Sequence, residues 1–147
     1  MNKRRPARTR EPLSLSSLLH AAYAAQAQIE AKLDSAGLSM AKLAALAALA
    51  DAGESLSFGE LAERLACVKS NITQLMDRLE TDGFVARKPD PHDRRGRLAV
   101  LTSAGRKAYR QGTRIQQAAE RELLATLSRD EAHQLAALLE KVQSTGI

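Results

Sequence analysis

Two short stretches of the chain carry side chains whose types and spacing suit an anionic partner. In "DPHDRRGRLAVLT", Asp90 to Thr102, a proline and a crowd of charges give way to an apolar run ending in threonine, which mounts Arg94, Arg95 and Arg97 at the end of a strand. Guanidinium groups hold phosphates, and arginine is drawn into narrow minor grooves where the negative potential is strongest. Asp93 stands where it would hold a neighbouring arginine in a fixed pose. In "VKSNITQLMDRLETDG", Val68 to Gly83, the residues Ile72, Leu75, Met76 and Leu79 fall on one helical face and leave Lys69, Ser70, Asn71, Thr73, Gln74 and Arg78 exposed. Asn and Gln bond bidentately to adenine, Thr offers a methyl to thymine, and Lys and Ser reach phosphates or base edges. Asn71 and Gln74 are therefore the candidate base readers, with Lys69, Arg78, Arg94 and Arg97 as phosphate contacts.

Each stretch has a plainer explanation when taken alone. A polar helix face is ordinarily just solvated, and a charged hairpin tip ordinarily just protects an edge strand from aggregation. Their order and closeness in the chain favour the functional reading. Catalysis is disfavoured: Cys67, His92 and Asp93 include types that serve as nucleophile, base and orienter, but His92 and Asp93 fall on an exposed hairpin tip. His20, His92 and His133 are scattered without ligand spacing, so no metal or cofactor is expected.

The elements that must position these residues are mostly helical. Leu15, Leu18, Leu19, Ala22, Ala25, Ile29 and Leu33 recur at helical spacing over 13–33, and Gly37 closes that helix. Ser39 caps a second helix, "MAKLAALAALADAG", with Leu43, Leu46, Leu49 and Ala50 inward and Gly53 as its stop. Ser57 and Glu60 form a capping box that opens a short third helix with Leu61, Ala62 and Leu65 inward. The polar-faced segment is the fourth helix, ended by Gly83. "FVARK" and "RLAVL" read as a hairpin joined by the long charged tip "PDPHDRRG". Thr102 caps a long helix to about Leu127, and Ser128 with Glu131 boxes the last, "RDEAHQLAALLEKVQ". The fold class expected is mainly α with a small β-hairpin wing. Two short helices joined by a tight turn and followed by a basic-tipped hairpin have the order of a winged helix-turn-helix.

Bulk properties agree. The 147 residues suffice for one domain with its own core, aromatic content is only 3% and there is no Trp, so core volume must come from aliphatic helix faces. A formal net charge of +5 favours nucleic acid or a membrane surface. No apolar stretch approaches the ~18 residues of a membrane span, and Ser14, Ser16, Ser17, His20 and Gln26 interrupt the only segment resembling a secretory signal. With Cys67 as its single cysteine the chain is expected in the cytoplasm, without a disulfide. Residues 1–12, carrying Lys3, Arg4, Arg5, Arg8 and Arg10, are expected to be a disordered basic arm, either a solubilising tail or a nonspecific phosphate binder.

"LAERLACVKSNITQLMDRLETDGFVARKPDPHDRRGRLAVLTSAGR", Leu61 to Arg106, resembles the multiple antibiotic resistance regulator (MarR) family of bacterial transcription factors, down to the "DRR" wing tip and the "LT" leading to a glycine-arginine pair. The resemblance implies one regulator domain over 13–147, with dimerisation helices at 13–35 and 103–147 and a DNA-binding region at 39–102. It implies a homodimer that presents two recognition helices to a palindromic operator on double-stranded DNA, most often as a repressor, with Arg95 in the minor groove and Asp93 bracing the wing. It also implies a candidate small-molecule effector in a cleft between the dimer helices and the winged region, near His20 and Tyr23. Two positions depart from the family: Val68 stands where a serine usually caps the recognition helix, and Cys67 where a small aliphatic residue is usual. Cys67 is the candidate redox residue, because a thiol near a helix N-terminus has a lowered pKa; a small buried hydrophobe is the expected reading. The alternative to a sequence-specific regulator is an architectural or protein-binding winged module, against which Asn71 and Gln74 argue.

Overall fold

The computed structural model describes residues 13–66 and 69–144, with Lys69 and Ser70 described in their backbone only. The basic arm, Cys67 and Val68 lie outside the described residues. The elements run α1 (Leu15–Asp34), α2 (Met40–Asp51), β1 (Ser55–Ser57), α3 (Phe58–Arg64), α4 (Lys69–Thr81), β2 (Val85–Asp90), β3 (Asp93–Leu101), α5 (Ser103–Leu124) and α6 (Arg129–Ser144).

Helix starts follow the polar caps in the sequence. Ser39 Oγ accepts from the Lys42 N–H and Thr102 Oγ1 from the Gly105 N–H, while Ser57 with Glu60 and Ser128 with Glu131 form reciprocal boxes. A further box at Ser14 and Ser17 opens α1. The α4 stop is a Schellman turn: Gly83 at φ 76° lets Phe84 N–H donate to the Leu79 carbonyl and Gly83 N–H to that of Glu80.

The sheet is three-stranded and antiparallel in the order β1-β3-β2. The small strand β1, which the sequence pattern did not suggest, pairs Leu56 with Ala99. In the β2–β3 pair Arg87 stands opposite Ala99 and Pro89 opposite Arg97, and the register slips at Pro89 and Asp90. The hairpin differs from its sequence reading: the strands run on to Asp90 and Asp93, only Pro91 and His92 remain between them, and Arg94 and Arg95 join Arg97 on β3 rather than standing in a long loop. Backbone ladder bonding is compatible with charged side chains that stay solvated, which edge strands carry routinely, so the charges did not mark a loop.

One core serves the winged region. Leu46 and Leu49 of α2, Leu61 of α3, and Ile72, Met76 and Leu79 of α4 are fully buried, joined by Leu56, Val85, Ala99 and Leu101 from the sheet and by Leu33 from α1. The N-terminal part of α5 packs on this unit, with Thr102 Oγ1 donating to the Gly83 carbonyl at 2.7 Å. The terminal helices are different. Of the apolar series on α1 only Ile29 and Leu33 are buried, and α6 buries none of its residues.

Candidate nucleic-acid interface

The inward face of α4 is fixed by Ile72, Met76 and Leu79, at most 1% exposed, and this turns Asn71, Thr73, Gln74 and Arg78 to solvent. At 13 residues the helix is about 20 Å long. Helix α3 is held against it by Leu61 and Ala62 and ends at Arg64; in the turn that follows, Ala66 is left-handed (φ 50°), which no sequence signal marked, since alanine seldom adopts this conformation. Lys69 and Ser70 open α4.

On the wing, Arg94, Arg95 and Arg97 are exposed. Asp93 acts on Arg95 through the backbone: its Oδ1 accepts the Arg95 N–H at 2.9 Å, as Asp90 Oδ1 accepts the His92 N–H at 2.8 Å. No ion pair joins Asp93 to an arginine among the described residues, so the guanidinium groups of Arg94 and Arg95 stay free for a partner. Helix and wing converge: Thr73 of α4 and Asp93, Arg95 and Arg97 of β3 line one cavity of about 380 Å³, floored by Phe58 and Ile72. Asn71, Gln74, Arg78 and Arg94 are exposed but do not line it.

A set of residues absent from the sequence-derived candidates holds helix and wing together. Arg87 of β2 pairs with Asp77 and Glu80 of α4, its Nε 2.9 Å from Glu80 Oε2, and its guanidinium carbon sits 5.4 Å from the centre of the Phe58 ring. Lys42 of α2 reaches Asp82 at the end of α4 at 2.7 Å. The sequence signal for this set was an arginine directly following the apolar "FVA" of the strand "FVARK". His20 and Tyr23 are both exposed on α1. Among the described residues no helix is long and apolar enough to cross a membrane, and no cluster of potential ligands could hold a metal.

A helix with a polar reading face, held by a shorter helix and flanked by a basic β-hairpin, defines a winged helix-turn-helix protein. The family model described as the MarR family matches residues 36–96. The transcriptional activatory protein BadR of Rhodopseudomonas palustris is 38% identical over 79 residues, covering 52% of this chain and 45% of BadR. The structure is similar to that of the reduced form of MarR from Escherichia coli, at 30% identity and a TM-score of 0.77 over 90% of this chain and 98% of the other. It is also similar to a cysteine-to-serine variant of that protein solved with operator DNA, at 28% identity and a TM-score of 0.75 over 87% and 92%. The chain belongs to the MarR family. The aligned stretches span about half the length of the curated relatives matched in sequence.

Proposed function

We propose that the chain is a cytoplasmic repressor that binds a palindromic operator as a homodimer, reading bases with α4 and the adjacent minor groove with the wing. The observation that carries this reading is the convergence of Thr73, Arg95 and Arg97 on one cavity, with Asn71, Gln74 and Arg78 exposed on the same helix as Thr73. A major groove about 12 Å wide admits such a helix, and two copies related by a two-fold axis would set half-sites about 34–36 Å apart. That the E. coli relative was solved in complex with operator DNA supports an operator as the partner. The homodimer is supported by apolar side chains left uncovered on the terminal helices: Leu15 is 73% exposed, Leu138 58% and Val142 59%. Release by a small-molecule effector belongs to the same proposal, with His20 and Tyr23 of α1 available to a ligand seated against the dimer helices.

The test is a titration of alanine variants against a duplex selected by the wild-type protein from random-sequence DNA. Asn71→Ala and Gln74→Ala should each cost about 1–3 kcal/mol and relax preference at one base pair. Arg95→Ala should lose more affinity on A/T-rich than on G/C-rich flanks. With Lys69, Arg78, Arg94 and Arg97 on both protomers touching phosphates, affinity should fall by about 10³ to 10⁵ between 50 and 200 mM salt. Selection of no preferred sequence would leave the architectural reading in its place.

A further inference from the structure

The geometry points to Arg87 as a positioning residue that locks the recognition helix to the wing, so that α4 and Arg95 engage DNA as one rigid unit. The inference rests on the function proposed above and assigns Arg87 no contact with DNA. Its side chain leaves β2 on the sheet face it shares with Ala99, its partner on the neighbouring strand, and meets the two carboxylates that α4 presents one turn apart, Asp77 and Glu80. The guanidinium carbon lies over the ring of Phe58, the first residue of α3. One side chain therefore touches the wing and both helices of the helix-turn-helix.

The pairing is built for orientation more than for attraction. Arg87 Nε is buried and 2.9 Å from Glu80 Oε2, yet its N–H does not point along that line, so it makes no hydrogen bond there. The fork is aimed by the Asp77 contact and by the Phe58 ring, and Glu80 adds charge. Asp77 and Glu80 are half exposed, and their pairing has a second consequence. Without Arg87 two like charges would stand three residues apart beside the reading face, repelling each other and the phosphates. A lysine would neutralise that charge but would supply neither the planar fork nor the stacking.

The experiment is a double-mutant cycle on the selected duplex between Arg87→Ala and Arg95→Ala, with circular dichroism and thermal unfolding as folding controls. A lock makes the wing contact conditional on Arg87. Removing Arg95 should then cost between about twofold and a hundredfold less affinity in the Arg87→Ala background than in wild type. A simple loss of folded protein would lower every affinity by the same factor and leave the cycle additive, which would overturn the inference. Arg87→Lys separates orientation from charge. Full recovery of binding in that variant, or on adding Asp77→Asn and Glu80→Gln to Arg87→Ala, would show that neutralisation alone matters and would also overturn it. Should Arg87→Ala fail to fold, Phe58→Leu keeps the ion pairs and removes only the stacking, and its cycle with Arg95→Ala should still depart from additivity. A wild-type protein that selects no sequence refutes the function proposed above; a wild type that binds with an additive cycle refutes this inference alone.

Discussion

The tetrapeptide LAAL occurs in α2 as Leu43–Leu46, overlapped by a repeat at Leu46–Leu49, and in α6 as Leu135–Leu138; the copies at Leu43–Leu46 and Leu135–Leu138 meet opposite fates. In α2, Leu43, Ala45 and Leu46 are buried at the centre of the winged region; in α6, Leu135 is 41% exposed and Leu138 58%. Local propensity cannot distinguish them, because both copies are strong helix formers on apolar faces. What differs is the surroundings: α2 is enclosed by α3, α4, α5 and the sheet, whereas among the described residues α6 is left with none of its own residues buried. An apolar stripe at helical spacing states that a face must be covered, and leaves open whether the cover comes from the same chain. For α6 and the first half of α1 a second copy is the cover proposed here.

The sharpest contrast is between the two leucines that end these copies. Leu46→Ala should cost about 2–5 kcal/mol in urea unfolding, from lost burial and a residual cavity. Leu138→Ala should change the stability of a dilute, dissociated chain by no more than about 0.5 kcal/mol. At micromolar concentration the order changes character. Leu138→Asp should leave a species of 15.9 kDa in light scattering, where the wild type shows twice that mass, with the winged region still folded. Equal costs for Leu46→Ala and Leu138→Ala in a dissociated chain would mean that α6 is packed within its own protomer.

A smaller effect tests the seam where the two regions join. A Cβ added at Gly105, in the first turn of α5, would stand 2.0 Å from the Phe84 carbonyl oxygen, which is backbone and cannot step aside without moving the end of α4. Further along α5, one added at Gly112 would meet Leu38 and Leu43 Cδ1 atoms at 2.8 Å, the ends of side chains that can rotate. Gly105→Ala should thus cost about 1–3 kcal/mol or more from overpacking. Gly112→Ala should cost less, since the gain of up to about 1 kcal/mol in helix propensity offsets the crowding. Thermal melts of both variants decide the ranking, and a Gly112→Ala loss equal to that of Gly105→Ala would place the rigid packing in the helical arm instead of the seam.

Which parts were legible in the sequence follows the same division. The helices were readable because Ser39, Ser57, Thr102 and Ser128 are caps with a local mechanism, and the inward series of α4 because its burial is decided within the chain. Strand β1 was not, because three residues carry no period and their pairing with β3 is non-local. The extension of β2 and β3 through the charged tip was missed because composition marks solvent exposure and says nothing of hydrogen bonding. Of the site, the outward residues of α4 and the arginines of β3 were legible as types. The Arg87 set was not, since joining positions 58, 77, 80 and 87 requires the fold.

The least of the expected effects compares the same device in the two regions. Glu60 accepts from the Ser57 backbone N–H at 2.9 Å and from its hydroxyl at 2.8 Å; Glu131 accepts from the Ser128 backbone N–H at 2.8 Å. In both glutamates the backbone hydrogen bond, then the serine hydroxyl, holds the carboxyl below its ordinary value. A carboxyl lowered in the folded state stabilises fully above its unfolded value, about 4.3, and loses that contribution as pH falls through the lowered folded value. Replacing either by Gln removes the titration but keeps a side chain able to accept from the N-cap, so the acid limb of the stability profile should flatten slightly. The two should differ in where this appears. Helix α3 carries Leu61 and Ala62 into the core, so Glu60→Gln should move the cooperative unfolding of the dissociated chain. Helix α6 buries nothing, so Glu131→Gln should change only amide exchange along residues 129–144 there, and should reach cooperative unfolding only at concentrations where a second copy covers the helix. If Glu131→Gln shifted unfolding of the dissociated chain as much as Glu60→Gln, α6 would belong to the same cooperative unit as the winged region, and the contrast between the two LAAL segments would fail.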